Sequence, residues 1–161
     1  MNLRSNIRSV RALSGGLGVQ ERSGNGITVK SQRELDRMLE AGRITGLALL
    51  KLRDSIKPGM TTMELDQIAE HEIVALGGRP AFKGYRGFPG TLCVSINEEI
   101  VHGIPGQRVI EEGDVIGLDL GAIVDGLYGD SAVTVAVGRV SQETLDQMDT
   151  GRAALFAGIA Q

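Results

Sequence analysis

Hydrophobic positions recur along this chain first with the period of a helix and then with that of a strand. Ser31, Gln32, Arg33 and Glu34 form a capping box, in which a serine oxygen and the glutamate three residues on satisfy free amide donors at a helix start. Leu35, Met38, Leu39, Leu47 and Leu50 follow at helical spacing, which predicts a helix to about Ser55. Lys57-Pro58-Gly59 breaks it. Thr61 with Glu64 makes a second box, and Leu65, Ile68, Ala69 and Leu76 form an apolar stripe that Gly77-Gly78 ends. A helical hairpin is the expected product.

Beyond Pro80 the signals change to strands. Thr91 to Ile96 is rich in β-formers, Ile100 to Ile104 is a second short run, and Pro105-Gly106 turns the chain. Two long apolar runs, Asp114 to Val124 and Leu127 to Val137, are joined by Asp125-Gly126, a leading signal for a two-residue type I′ turn. Ser141 caps a last helical stretch carrying Leu145, Met148, Leu155 and Ile159, and the chain stops at Gln161 with no Gly, Pro or charged end signal, as a chain cut within a domain would. The expected class is α+β, a helical hairpin packed on an antiparallel sheet over residues 27–161. Residues 1–26 differ, since Arg4, Arg8, Arg11 and Arg22 face the single acid Glu21 among Ser, Asn and Gly; they are expected to be a basic flexible extension.

The turn fixes the chemistry. With Asp125 and Gly126 as the loop, Asp119 faces Ala132 and Asp130 lies two residues from that partner on the same face, because side chains alternate with period two. The opposite face carries Ile116, Leu118, Leu120, Val124, Leu127, Val133, Val135 and Val137. Gly117, Gly121, Ala132 and Ala136 leave room around the aspartates. Two anions close together on an apolar sheet are costly unless one holds a proton or a cation joins them, so a shared-proton dyad and a divalent metal are the two readings. A three-residue loop with a bulge would change the face assignment.

Composition narrows the classes. The 161 residues suffice for one domain; 42% are hydrophobic and 23% charged, which excludes wholesale disorder, and no apolar run reaches the ~20 residues of a membrane span. Seventeen basic against 20 acidic side chains give a net charge of −3, a poor match to nucleic acid. The lone Cys93 makes neither a disulfide nor a cysteine-built metal site, which fits a reducing compartment, so any metal is held by oxygen and imidazole. The 23 glycines against 3% aromatics point to tight turns and close backbone approaches. His71-Glu72 opens like a zinc-binding HExxH but has Ala75 where the second histidine belongs, and reads as solvated surface. Gly15, Gly16 and Gly18 complete no phosphate loop, and Asn97-Glu98-Glu99 reads as an exposed turn. His102, flanked by apolar residues, reads as a rim or satisfied core group, and Cys93 as a small buried side chain.

Phe82-Lys83-Gly84-Tyr85, the segment from Phe88 through Asn97-Glu98-Glu99 to His102-Gly103-Ile104-Pro105, and Gly113 through Asp119 to Tyr128-Gly129-Asp130-Ser131 together closely resemble the type I methionine aminopeptidases, from about Ile27 to the end. The resemblance implies the amino-terminal half of a pita-bread fold, two similar α/β halves around two divalent metal ions (Co²⁺, Mn²⁺, Fe²⁺ or Zn²⁺), in a cytoplasmic hydrolase that removes the initiator methionine. It implies Asp119 and Asp130 as metal ligands, His102 as the imidazole contacting the substrate near the scissile peptide, and Tyr85 and Cys93 as lining of the methionine pocket. Its substrates would be new polypeptide N-termini, at the ribosome, with a monomer as the complete form and no nucleic acid or membrane partner. Paired cations that acidify a shared water account for such hydrolysis in general terms, which favours metal over the shared proton. The family's remaining ligands, a histidine and two glutamates, come from a second half beyond Gln161, so the isolated chain is expected to be inactive. A related X-Pro peptidase, or a half domain that has lost catalysis and serves as a binding module, are the competing readings.

Overall fold

The structure, a computed structural model, describes residues 28–161; the expected basic extension over 1–26 lies outside the described residues. Helix α1 (Gln32–Ser55) and helix α2 (Thr62–Ala75) form the helical hairpin, each opened by its complete capping box, on Ser31 with Glu34 and on Thr61 with Glu64. Gly77, at φ 88°, ends the second. A two-residue strand β1 (Arg79–Pro80), a 3₁₀ turn (Tyr85–Gly87) and strand β2 (Leu92–Ile96) lead to the long strands β3 (Val115–Val124) and β4 (Leu127–Ala136). All pairings are antiparallel: β1 and β2 lie end to end along one edge of β3, and β4 runs along the other. Helix α3 (Gln142–Ile159), capped by Ser141 as its sequence requires, closes the chain.

The core lies between the two helices and one face of the sheet. Ile44, Leu52, Leu65 and Ile73 meet Leu92, Val94, Ile96, Ile116, Leu118 and Leu120, all essentially fully buried. Burying each such side chain contributes about 1.5–3 kcal/mol, so this layer is the main source of stability.

Two expectations need correction. The buried stripe of α1 is Ala41, Ile44, Thr45, Ala48, Leu49 and Leu52, while Leu35, Met38, Leu39, Leu47 and Leu50 are exposed. The reason is the closeness of the packing: a Cβ on Gly129 of β4 would stand 2.5 Å from the backbone of Ala41 and Gly42. Only small residues fit on the helix there, and Thr45 adds a buried hydrogen bond from Oγ1 to the Gly129 carbonyl at 3.2 Å. The large leucines are left on the flanks. The second correction is the run Ile100 to Ile104, which is irregular, with Ile100, Val101 and Ile104 exposed. His102 turns the backbone left-handed at φ 60°, which no strand continues through.

Candidate metal centre

The hairpin turn sets the face of the two aspartates. Asp125 and Gly126 both have positive φ, 48° and 83°, the conformation of the type I′ turn, and the ladder pairs Asp119 with Ala132 and Gly121 with Asp130. The bulged alternative does not occur. The acids are diagonal neighbours on the face turned away from the helices, ~7–8 Å apart at the backbone by ladder geometry, close enough for each carboxyl to feel the other. Burial holds the half-buried Asp119 carboxyl above its ordinary value, Asp130 raises it further, and the nearby His102 imidazole offsets part of this.

Cys93 is Asp119's partner on the other side of β3, so Cys93, Asp119 and Ala132 form one row across the sheet. Its thiol is pushed up to about 11, first by burial and then by the charges of Asp119, Asp130 and Asp66. A thiol so placed is neutral near pH 7 and a poor nucleophile.

His102 is carried by a loop fastened at several points. Gly103 accepts the Val94 amide at 3.0 Å and donates its own to Ser95 Oγ at 3.1 Å, lying so close that a Cβ would reach 2.0 Å from the Val94 carbonyl oxygen. Asn97 Nδ2 donates to Asp114 Oδ1 at 2.8 Å while its Oδ1 accepts the Val115 amide at 2.9 Å. Glu99 Oε2 accepts the Ile96 amide at 2.8 Å, and Arg108 pairs with Glu99 and Glu98. The Asn97-Glu98-Glu99 turn is exposed as expected, yet its polar side chains are what tie the histidine loop to the sheet. Tyr85, in the 3₁₀ turn, is 62% exposed, with the Arg86 guanidinium 5.4 Å from its ring centroid. The structure therefore gathers Asp119, Asp130, Cys93 and His102 and leaves Tyr85 at the surface. His71 is exposed, as its sequence implied.

Two contributors were not legible as such. The clearing at Gly121 is occupied: a Cβ there would meet the Phe82 ring at 2.8 Å and Ala81 at 2.9 Å, so Phe82 forms an apolar wall on the face of the acids. Glycine opposite Asp130 was the signal, read only as empty space. Asp66 of α2, buried, accepts the Thr91 and Leu92 amides on Oδ1 at 2.7 and 2.8 Å and so fixes the start of β2 below Cys93.

The residues present fit a divalent cation. Two carboxylate oxygens are hard donors, and their mutual repulsion is relieved by a positive ion between them. Among the described residues no group of three or more His, Cys, Asp or Glu gathers as a ligand set.

The antiparallel hairpin brings two carboxylates to one face of an α+β layer, an arrangement chemically suited to hold a divalent cation. The sequence profile of metallopeptidase family M24 matches residues 36–161, and the chain belongs to that family, which uses divalent metal. More narrowly, it is 49% identical over 135 residues to methionine aminopeptidase 1 of Bacillus subtilis, covering 84% of this chain and 54% of that protein. The crystal structure of methionine aminopeptidase from Rickettsia prowazekii matches with TM-score 0.78 and 30% identity over 81% of this chain and 53% of that one. That from Thermotoga maritima gives 0.77 and 38% over 80% and 52%. The chain thus spans about half the length of the curated relatives it matches. Among the described residues no helix is long and apolar enough to cross a membrane.

Proposed function

We propose that this chain is the amino-terminal half of a metal-dependent aminopeptidase that removes the initiator methionine from new polypeptides in the cytoplasm. The observation that carries the reading is the meeting of Asp119 and Asp130 on one face, in a chain whose similarity to methionine aminopeptidases runs through both residues. Asp119 and Asp130 would hold the divalent metal, two ions of Co²⁺, Mn²⁺, Fe²⁺ or Zn²⁺ in the complete enzyme. When bound, such cations supply Lewis acidity toward water and the scissile carbonyl.

The chain's own residues do the rest. His102, on its fastened loop, donates a hydrogen bond to the substrate near the scissile peptide, where charge develops during attack. Neutral Cys93 offers the methionine side chain a soft, uncharged contact, and Phe82 bounds the same face with apolar surface. Tyr85, carried on the exposed turn Tyr85–Gly87, would add to the lining of the methionine pocket. Because two carboxylates are only part of a ligand set, the isolated chain binds metal weakly and does not turn over substrate.

The test has two arms. Manganese titration followed by electron paramagnetic resonance is expected to show binding that Asp119→Asn and Asp130→Asn both weaken. Co-expression with the carboxy-terminal half of the Bacillus subtilis relative is expected to yield release of methionine from Met-Ala-Ser, which the 161-residue chain alone does not give. Equal manganese binding by the variants refutes the metal assignment, and turnover by the isolated chain refutes its dependence on a second half.

A further inference from the structure

Ser95 is the polar member of strand β2. Leu92, Val94 and Ile96 enter the core, while Cys93 and Ser95 alternate onto the face of the acids, Cys93 opposite Asp119 and Ser95 opposite Gly117. Ser95 is buried, and a buried hydroxyl has to find a partner. It finds one in the histidine loop, accepting the Gly103 amide on Oγ at 3.1 Å.

That loop is fixed at both ends. At its start Asn97 donates to Asp114 and accepts the Val115 amide; at its end Thr62 Oγ1 accepts the Gly106 amide at 2.8 Å, and the Gly106 carbonyl accepts the Met63 amide at 2.9 Å. Between these points Ile100, Val101 and Ile104 are exposed, so within this chain polar bonds at Gly103 hold the middle of the loop rather than apolar packing. The Val94 amide takes the Gly103 carbonyl, and Ser95 takes the Gly103 N–H. That N–H belongs to the peptide leaving His102, so the hydroxyl orients the backbone about residue 102, which is left-handed at φ 60°. A left-handed L-residue and one intramolecular hydrogen bond are opposite in sign and similar in size, so the Ser95 bond decides whether position 102 keeps its conformation.

We propose that Ser95 is the positioning residue for His102: its hydroxyl, by accepting the Gly103 amide, holds residue 102 left-handed and so keeps the imidazole on the side of Asp119. The imidazole lies near enough to Asp119 for its charge to favour the ionised carboxyl, and a turn of the backbone at 102 would carry it away. The assignment rests on the reading of His102 as the group that meets the substrate.

Nuclear magnetic resonance of the 161-residue chain tests this. Positive φ brings a residue's own amide and α protons close together, so a strong Overhauser peak between them is expected at His102, as at Asn97 and Asp125, whose φ are 55° and 48°. Ser95→Ala is expected to lose that peak at His102 and keep it at Asn97 and Asp125, with the ring signals of His102 shifting and those of exposed His71 unmoved. Ser95→Thr keeps the hydroxyl, and Gly117 opposite leaves space for its methyl group, since a Cβ there would meet nothing nearer than 3.8 Å; this variant is expected to retain the peak. In the unmodified chain the Gly103 amide is expected to exchange at least about tenfold more slowly than in an unfolded peptide. A His102 peak undiminished in Ser95→Ala overturns the proposal, and so does equal loss in Ser95→Thr. Should Ser95→Ala not fold, unprotected exchange at Gly103 overturns it on the unmodified chain alone. These measurements need neither metal nor substrate, so failure of the completed enzyme to release methionine would count against the proposed function and not against the role of Ser95.

Discussion

Asp119 and Asp130 sit one diagonal apart on the β3–β4 ladder, and the carboxyl of Asp130 raises the proton affinity of Asp119, so the two act as one electrostatic unit. The folded chain therefore holds a proton at Asp119 that the unfolded chain releases more readily. Stability from this group is complete below the ordinary aspartate value and declines as pH rises through the raised folded-state value. The melting temperature of the metal-free chain is expected to fall as pH rises from the ordinary aspartate value through the raised one, and Asp119→Asn to flatten the fall. An unchanged profile in the variant would place the titration elsewhere.

A divalent cation should reverse the trend. It binds the ionised pair and not the unfolded chain, so at a hundred times its dissociation constant it stabilises by about 2.7 kcal/mol. Manganese is expected to raise the melting temperature at neutral pH, less so in acid, and not at all in Asp119→Asn with Asp130→Asn. Differential scanning calorimetry with and without a chelator makes the comparison.

Cys93 should be a slow thiol. Buried on the row of Asp119 and raised to about 11, it is expected to resist a disulfide reagent at neutral pH in the native state and to react fully once unfolded. Asp119→Asn removes one of the charges that raise it, and is expected to speed the native reaction. Equal rates in the two proteins would mean that access alone governs it.

Gly103 and Gly106 flank the Ile104-Pro105 pair but differ in what a methyl group would meet. A Cβ at Gly103 collides with the Val94 carbonyl, whereas at Gly106 nothing lies within 4 Å. Gly103→Ala is expected to cost about 1–3 kcal/mol by forcing the histidine loop off β2. Gly106→Ala should stay within about 0.5 kcal/mol. Urea unfolding of the two variants gives the difference directly.

Local rules carried much of this fold. Capping boxes at Ser31 and Thr61, the glycine stop at Gly77 and the Asp-Gly turn each depend on a few adjacent residues, and each stands where the sequence places it. The turn in turn determined which face Asp119 and Asp130 share, so the meeting of the two acids was legible from two loop residues. What was not legible depends on contacts distant in sequence. The face α1 turns inward is chosen by Gly129, more than eighty residues away, which selects Ala41 over Leu39. Phe82 over Gly121 and Asp66 beneath Thr91 are likewise long-range fits that no periodicity encodes.

The left-handed backbone at position 102 sets persistence against chemistry. At φ 60° an L-residue is held about 1–2 kcal/mol above what glycine would need, yet only histidine puts an imidazole there. Libraries of this gene screened for survival of heating should drift to glycine at 102, while lineages screened for peptide cleavage in the reassembled enzyme should keep histidine. The divergence of those two populations would separate what the molecule needs to endure from what it needs to work.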